Sequence, residues 1–171
     1  KPQLLLCEGY MDVIALHQAG FDNAVASLGT SLTSGHASLL KRYTKEVYLT
    51  YDSDGAGVKA ALRAIPILKE VGITTKVINM QPYKDPDEFI RKHGAEEFQK
   101  VIQGALPMVE FQLQYIVRDM DLNSLESRLQ AMARILPVLS GLKNMAQRNA
   151  YVARAAQILG VAENELMNEL N

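Results

Sequence analysis

The chain has 171 residues, 48% of them hydrophobic, which is enough apolar material for one sizeable core or two smaller ones sharing an interface. A formal net charge of -1 excludes a surface that is basic throughout, so any grip on a polyanion must be local or lie on a part of the protein outside this chain. Cys7 is the only cysteine, which excludes an internal disulfide and a multi-cysteine zinc site, and no apolar run approaches the roughly 20 residues that span a bilayer. A soluble protein of a reducing cytoplasm is expected. Lys1 leads straight into an apolar run without an initiating methionine, so the chain reads as a fragment of a longer polypeptide.

In chain order, Leu4 to Cys7, Asn23 to Ser27, Val47 to Tyr51 and Lys76 to Met80 are short β-favouring runs that read as strands. Between them, Tyr10 to Ala19, Thr33 to Tyr43 and Gly57 to Val71 carry apolar residues at helical spacing, with Gly20 and Gly72 at the helix ends. This alternation predicts an α/β fold, a mostly parallel Rossmann-like sheet flanked by helices, in which ligands bind beyond the carboxyl ends of the strands. From Pro86 onward the β signal vanishes, and the pattern predicts helices alone, broken near Gly94, Gly104 to Pro107, Asp121 to Asn123, Gly141 and Gly160. Leu125, Leu129, Met132, Ile135, Leu136 and Leu139 form one apolar stripe, and Val152, Ala155, Ala156 and Leu159 form another. The expected division is an α/β domain over 1–104 and an all-helical subdomain over 105–171, packed on it because no flexible linker intervenes.

Three acidic clusters follow strands: Glu8 after the first, Asp52 and Asp54 after the third, Asp85 and Asp87 shortly after the fourth. In a parallel sheet all three emerge at one edge, so five carboxylates distant in sequence converge in space. Converging carboxylates repel and raise one another's pKa unless a cation stands between them, and Mg²⁺ prefers such hard oxygen ligands. Two such ions stabilise both oxygens of a phosphoryl transfer. Gly9, Gly29, Gly55 and Gly57 lie at strand-to-helix turns, where a missing side chain lets backbone N–H groups approach a phosphate. Plainer readings stand beside these. Asp54 also suits a helix N-cap, and Asp85 and Asp87 around Pro86 suit a helix start. Asp12, one helical turn after Glu8, is either a supporting acid or a solvated helix residue, whereas Glu8 directly after Leu4 to Cys7 is costly without a partner.

At these residues the sequence resembles the Toprim family, whose pattern is Glu-Gly after the first strand and Asp-x-Asp after the third. Glu8-Gly9-Tyr10-Met11-Asp12-Val13, Ser27-Leu28-Gly29-Thr30, Asp52-Ser53-Asp54-Gly55-Ala56-Gly57 and Asp85-Pro86-Asp87-Glu88-Phe89 resemble its primase branch in particular, over roughly residues 3 to 90. The resemblance implies a Toprim-type sheet and metal-dependent nucleotidyl transfer that copies a single-stranded DNA template into an RNA primer from nucleoside triphosphates. It implies that Glu8 acts as general acid or base or as a metal ligand, and that Asp52, Asp54, Asp85 and Asp87 hold Mg²⁺ or Mn²⁺, two or more ions. Asp12 matches a motif position as well, Gly29 and Thr30 would line the same mouth, and Gly9, Gly55, Gly57 and Lys84 are further site candidates. The family's zinc ribbon, its basic template-guiding subdomain and its helicase-binding domain are expected outside this chain, with the replicative helicase and single-strand-binding protein met through the full-length enzyme. The isolated chain is then a weak or inactive enzyme.

His36, His17 and His93 read as capping, packing or exposed residues, Cys7 as a small strand hydrophobe, and Lys41, Arg42 and Lys45 as a local basic run. Other Toprim proteins, nucleases and recombination factors, remain an alternative. Tyr51-Asp52-Ser53-Asp54-Gly55 also resembles the nucleophile motif of aspartate-nucleophile phosphatases, but two β-α units precede it and Glu8 is left without a role. A receiver-like signalling module with Asp52 as phosphoacceptor lacks the expected lysine after a fifth strand. A docking platform built on the helical half is the non-enzymatic alternative.

Overall fold

The computed structural model describes residues 3–27, 31–52, 55–80 and 82–171, which form two compact units, Lys1–Met108 and Val109–Asn171. The first unit is built on β1 (Gln3–Cys7), β2 (Ala24–Ala26), β3 (Glu46–Leu49), β4 (Thr74–Val77) and β5 (Leu106–Pro107), in the spatial order β2-β1-β3-β4-β5. The first four are parallel; Val77 pairs with Leu106 as β5 runs antiparallel to β4. Strands buried on both faces need near-continuous apolar runs, and Leu5, Leu6 and Cys7 of β1 and Val47, Tyr48 and Leu49 of β3 are all buried.

The helices of this unit are α1 (Tyr10–Gln18), α2 (Ser34–Lys41), α3 (Gly55–Glu70) and α4 (Pro86–Gln103). Right-handed crossovers from β1 to β2 and then back past β1 to β3 put α1 on one face and α2 and α3 on the other. Helix α4 joins α1, and α2 meets α3. Beneath α1 and α4, Leu5, Cys7, Leu16, Phe89, Phe98 and Ile102 form a core cluster. The chain leaves β1 toward β2 on one side and β3 lies on the other, so the strand order reverses between β1 and β3 and opens a crevice at their carboxyl ends.

The strand β5 departs from the expectation of helices alone after Pro86. Two residues carry too little alternation to register as a strand, and Pro107 is tolerated because β5 is an edge. Helix α4 is interrupted at Gly94, whose φ of 84° belongs to the left-handed region, so it is two helical segments joined at a kink.

The second unit holds α5 (Met108–Val117), α6 (Leu125–Ser140), α7 (Met145–Leu159) and α8 (Glu163–Leu170). Ser124 and Asn144 cap α6 and α7, accepting the N–H groups of Ser127 at 3.4 Å and Gln147 at 2.9 Å. Val152, Ala155, Ala156 and Leu159 are all buried, as their stripe predicts. The α6 stripe is a partial correction. Its buried line runs through Ala131, Ile135 and Leu139, four residues apart, while Leu125 and Leu129 in the first turns are exposed. Among the described residues, no helix is long and apolar enough to cross a membrane.

Candidate functional site

β1 ends at Cys7 and β3 at Leu49, so Glu8 and Asp52 leave adjacent parallel strands at the same edge. The Glu8 carboxylate reaches across, and its Oε1 accepts the Asp52 N–H at 2.8 Å. This contact over 44 residues fixes the two strand exits against each other and gives the acid a partner at the end of an apolar strand. Just inside, the fully buried Thr50 Oγ1 lies 3.0 Å from both the Leu6 carbonyl oxygen and the Cys7 Sγ. Burial pushes the Cys7 thiol up to about 12, so it packs as a neutral hydrophobe.

Asp12, in the first turn of α1, is 8% exposed. Burial pushes its carboxyl up to about 7, and the negative charges of Asp85, Asp52 and Asp87 add to that push against one opposing hydrogen bond from the Asp87 backbone. The carboxylates following β3 and β4 therefore share one electrostatic neighbourhood with Asp12, and Glu8 joins it through the Asp52 backbone. Asp85 caps α4, its Oδ1 accepting the Glu88 N–H at 2.9 Å, and Pro86 follows in the first turn. Asp87 pairs with the exposed Arg91 at 3.2 Å. Asp54 lies outside the described residues, as do Gly29 and Thr30. Among the described residues, no three His, Cys, Asp or Glu side chains gather closely enough to hold a metal ion. The donor chemistry nonetheless fits a divalent cation, because these are hard oxygens in charge excess and Asp12 bears the cost.

Residues 5–90, half of the chain, match the family model described as Toprim-like. The chain belongs to the Toprim-like family. It is 37% identical over 163 residues to the DNA primase of Clostridium acetobutylicum, covering 95% of this chain and 27% of that protein. It is likewise 37% identical over 172 residues to the DNA primase of Haemophilus influenzae, covering 98% and 29%. Among solved structures, the RNA polymerase domain of Mycobacterium tuberculosis primase DnaG in complex with double-stranded DNA superposes with a TM-score of 0.79 at 32% identity, covering 94% of this chain and 52% of that one. A DnaG primase catalytic domain bound to single-stranded DNA gives 0.71 at 33% identity, covering 96% and 53%. The chain thus spans less than a third of the length of these curated relatives. Residues 109–164 match the model described as the DnaB-helicase binding domain of primase. That match corrects the expectation that no helicase-binding sequence lies in this chain; amphipathic helices without a local motif gave no hint of it.

Within the Toprim unit, Gly57 has a positional reason that Gly9 and Gly55 lack. A Cβ there would lie 2.0 Å from the Asp52 carbonyl oxygen, 2.7 Å from its carbon and 2.9 Å from the Asp52 Cα, so the first turn of α3 is seated directly on the Asp52 backbone. Gly9, at an ordinary extended φ of -135°, and Gly55 face open space. Lys84 donates its backbone N–H to the Glu88 carboxylate at 2.8 Å. His36 completes a capping box with Thr33, and His17 Nε2 lies 3.0 Å from the Ala24 carbonyl oxygen, so both act locally. A cavity of about 510 Å³ opens beside Glu8, lined also by Ser27, Tyr51 and Arg63. Ser27 and Tyr51 belong to stretches already singled out after β2 and β3, whereas Arg63 carried no sequence signal, because it meets this cavity only through the packing of α3 on the sheet.

Proposed function

We propose that this chain is the catalytic-core segment of a bacterial DNA primase, joining ribonucleotides into RNA primers on a single-stranded DNA template. Its cation-binding residues are Glu8, Asp52, Asp54, Asp85 and Asp87. The observation that carries this reading is the Glu8 carboxylate reaching across adjacent strands to the Asp52 N–H at 2.8 Å, which brings two of the acids to one rim; beside them burial, and then the charges of Asp85, Asp52 and Asp87, raise the Asp12 carboxyl. Acids gathered at the carboxyl ends of adjacent strands favour a ligand that brings positive charge. Mg²⁺ or Mn²⁺ bound there would neutralise charge developing on the phosphoryl group in transfer. Glu8, anchored through Oε1 by the Asp52 N–H, is oriented to hold a cation or to exchange a proton with a reacting hydroxyl. Asp12 supports the cluster from beneath, and Gly57 keeps Asp52 at the crevice.

Nucleoside triphosphates, the template and the primer are the substrates on this reading, in the bacterial cytoplasm. The helical unit contributes to contact with the replicative helicase, a reading supported by its match to a helicase-binding family model. Single-strand-binding protein is met through the full-length enzyme. The chain alone makes little primer, because its acidic and basic residues nearly balance and leave no net positive charge to hold a template.

Calorimetric titration with Mn²⁺ tests the site. The parent is expected to bind, and the Asp52→Asn, Asp54→Asn double variant to bind at least about tenfold more weakly, since two of the charged ligands become neutral. Equal affinity in the two proteins overturns the proposal.

A further inference from the structure

We propose that Tyr83 and His93 form a latch that positions Asp85 for cation binding. This rests on the cation-binding reading above and extends it to two residues that touch no ligand. The acids need such a device. Asp12, Asp52, Asp85 and Asp87 share one neighbourhood, and their mutual repulsion favours any movement that swings the Asp85 loop outward. Asp85 lies between β4 and α4, beyond the last residue of the strand, so no sheet pairing holds it.

Its cap on the Glu88 N–H and the Lys84 N–H bond to the Glu88 carboxylate tie it to the first turn of α4, and a line of rings ties it to the rest of the unit. Phe89 and His93 stand four residues apart, hence on one face of α4, and Tyr83 lies across both. The Tyr83 ring meets Phe89 edge-on at 5.4 Å between centroids and 88°, and His93 at 4.9 Å and 78°. The Tyr83 hydroxyl and His93 Nε2 are hydrogen-bonded. Phe89 continues inward to Phe98 at 5.7 Å, and Phe98, fully buried, meets Phe21 at 5.4 Å. The loop is thereby tied to the core through a residue two positions before Asp85. Gly94, with its left-handed φ, ends the helical segment directly after His93 and so fixes where the imidazole stands.

The latch bond joins a hydroxyl to an imidazole and uses no carboxylate, so it resists the acids' repulsion without cancelling the charge a cation needs. Holding an acid in place before its ligand arrives removes part of the ordering cost of binding. Tyr83 and His93 are therefore positioning residues, and the sequence carries no hint of their pairing because a loop residue and a helix residue meet only once the loop folds back along the helix.

The test is Mn²⁺ calorimetry at fixed pH on the 171-residue chain, with metal-free thermal unfolding measured beside it. Tyr83→Phe keeps the ring contacts and removes the hydroxyl; His93→Leu removes its partner. Both are expected to bind Mn²⁺ roughly three- to tenfold more weakly, the range for loss of one hydrogen bond, while the metal-free melting temperature stays close to the parent's. His93→Gln places a side-chain amide near the position of Nε2 and is expected to restore the affinity. Unchanged affinity in both Tyr83→Phe and His93→Leu overturns the latch, and so does a loss of affinity that tracks an equal loss of metal-free stability or that Gln does not rescue. A parent chain that binds no Mn²⁺ overturns the cation site itself, and the latch with it.

Discussion

Asp12 in the Toprim unit and Glu110 in the helical unit are both helix carboxylates largely withdrawn from water, yet their surroundings push them in opposite directions. Glu110 Oε1 accepts Arg154 Nε at 2.8 Å and Gln114 Nε2 at 2.9 Å, and these partners hold its carboxyl below the ordinary value. Burial, and then the negative charges of Asp85, Asp52 and Asp87, push the Asp12 carboxyl up to about 7. A fold selected for stability alone pairs its acids as the helical unit does. The Toprim unit instead sets a buried acid among other acids at the carboxyl ends of its strands, and such like-charge crowding is the pattern of functional sites more than of packing.

Displacing the cluster breaks this contrast most severely. Gly57→Ala ought to gain about 1 kcal/mol from helix propensity alone. The added Cβ, however, meets backbone atoms of Asp52 at 2.0 to 2.9 Å, and backbone cannot rotate aside. A net loss of about 2 to 4 kcal/mol in stability is expected, together with loss of most Mn²⁺ affinity as Asp52 shifts. Thermal unfolding checks the first and calorimetry the second; a melting temperature at or above the parent's refutes the close seat.

Asp12→Asn sharpens the same contrast with the opposite sign. Between pH of about 4 and 7 the unfolded chain has lost the Asp12 proton while the folded chain retains it, so metal-free stability falls across that window and stays low above it. Asparagine removes the charge. The variant is expected to be more stable than the parent by roughly 1 to 2 kcal/mol at pH 8, a value discounted for partial solvation of the neighbouring acids, and to show no advantage below pH of about 4. Millimolar Mg²⁺ is expected to erase the gain, because a cation relieves the parent of the same repulsion. An Asn variant no more stable than the parent at pH 8 without metal shows that the acids are not in conflict.

The two halves were unequally legible in the sequence. Alternating strand and helix patterns and glycine punctuation are local signals, and they located β1 to β4, α1 to α3 and the rim from which Glu8, Asp52 and Asp85 emerge. The burial of Asp12 was not local. It depends on α4 closing over α1, with Phe89 and Phe98 packing beside Leu16, so a residue equally suited to a solvated first turn ended among other acids. Leu125 and Leu129 failed for the converse reason, since helical spacing defines a stripe without saying how far along it a partner extends. Arg154 is 44 residues from Glu110, and no short-range pattern couples them.

That last pair supplies the smallest effect and the cleanest sign. Glu110 has a folded pKa below its ordinary 4.5, so its contribution to stability is present above pH of about 4.5 and is lost as pH falls through the depressed folded value. Arg154 is more than a third exposed, so solvent screens the pair and the contribution is about 1 kcal/mol. Glu110→Gln keeps a hydrogen-bonding amide and removes the charge. The variant should therefore melt a few degrees below the parent at pH 7, with the gap closing in acid and narrowing in high salt. Denaturation at several pH values reads both trends. A gap that persists unchanged into acid would mean that Glu110 stabilises the helical unit through its shape and hydrogen bonds, and the opposition between Asp12 and Glu110 would then be one of packing and not of charge.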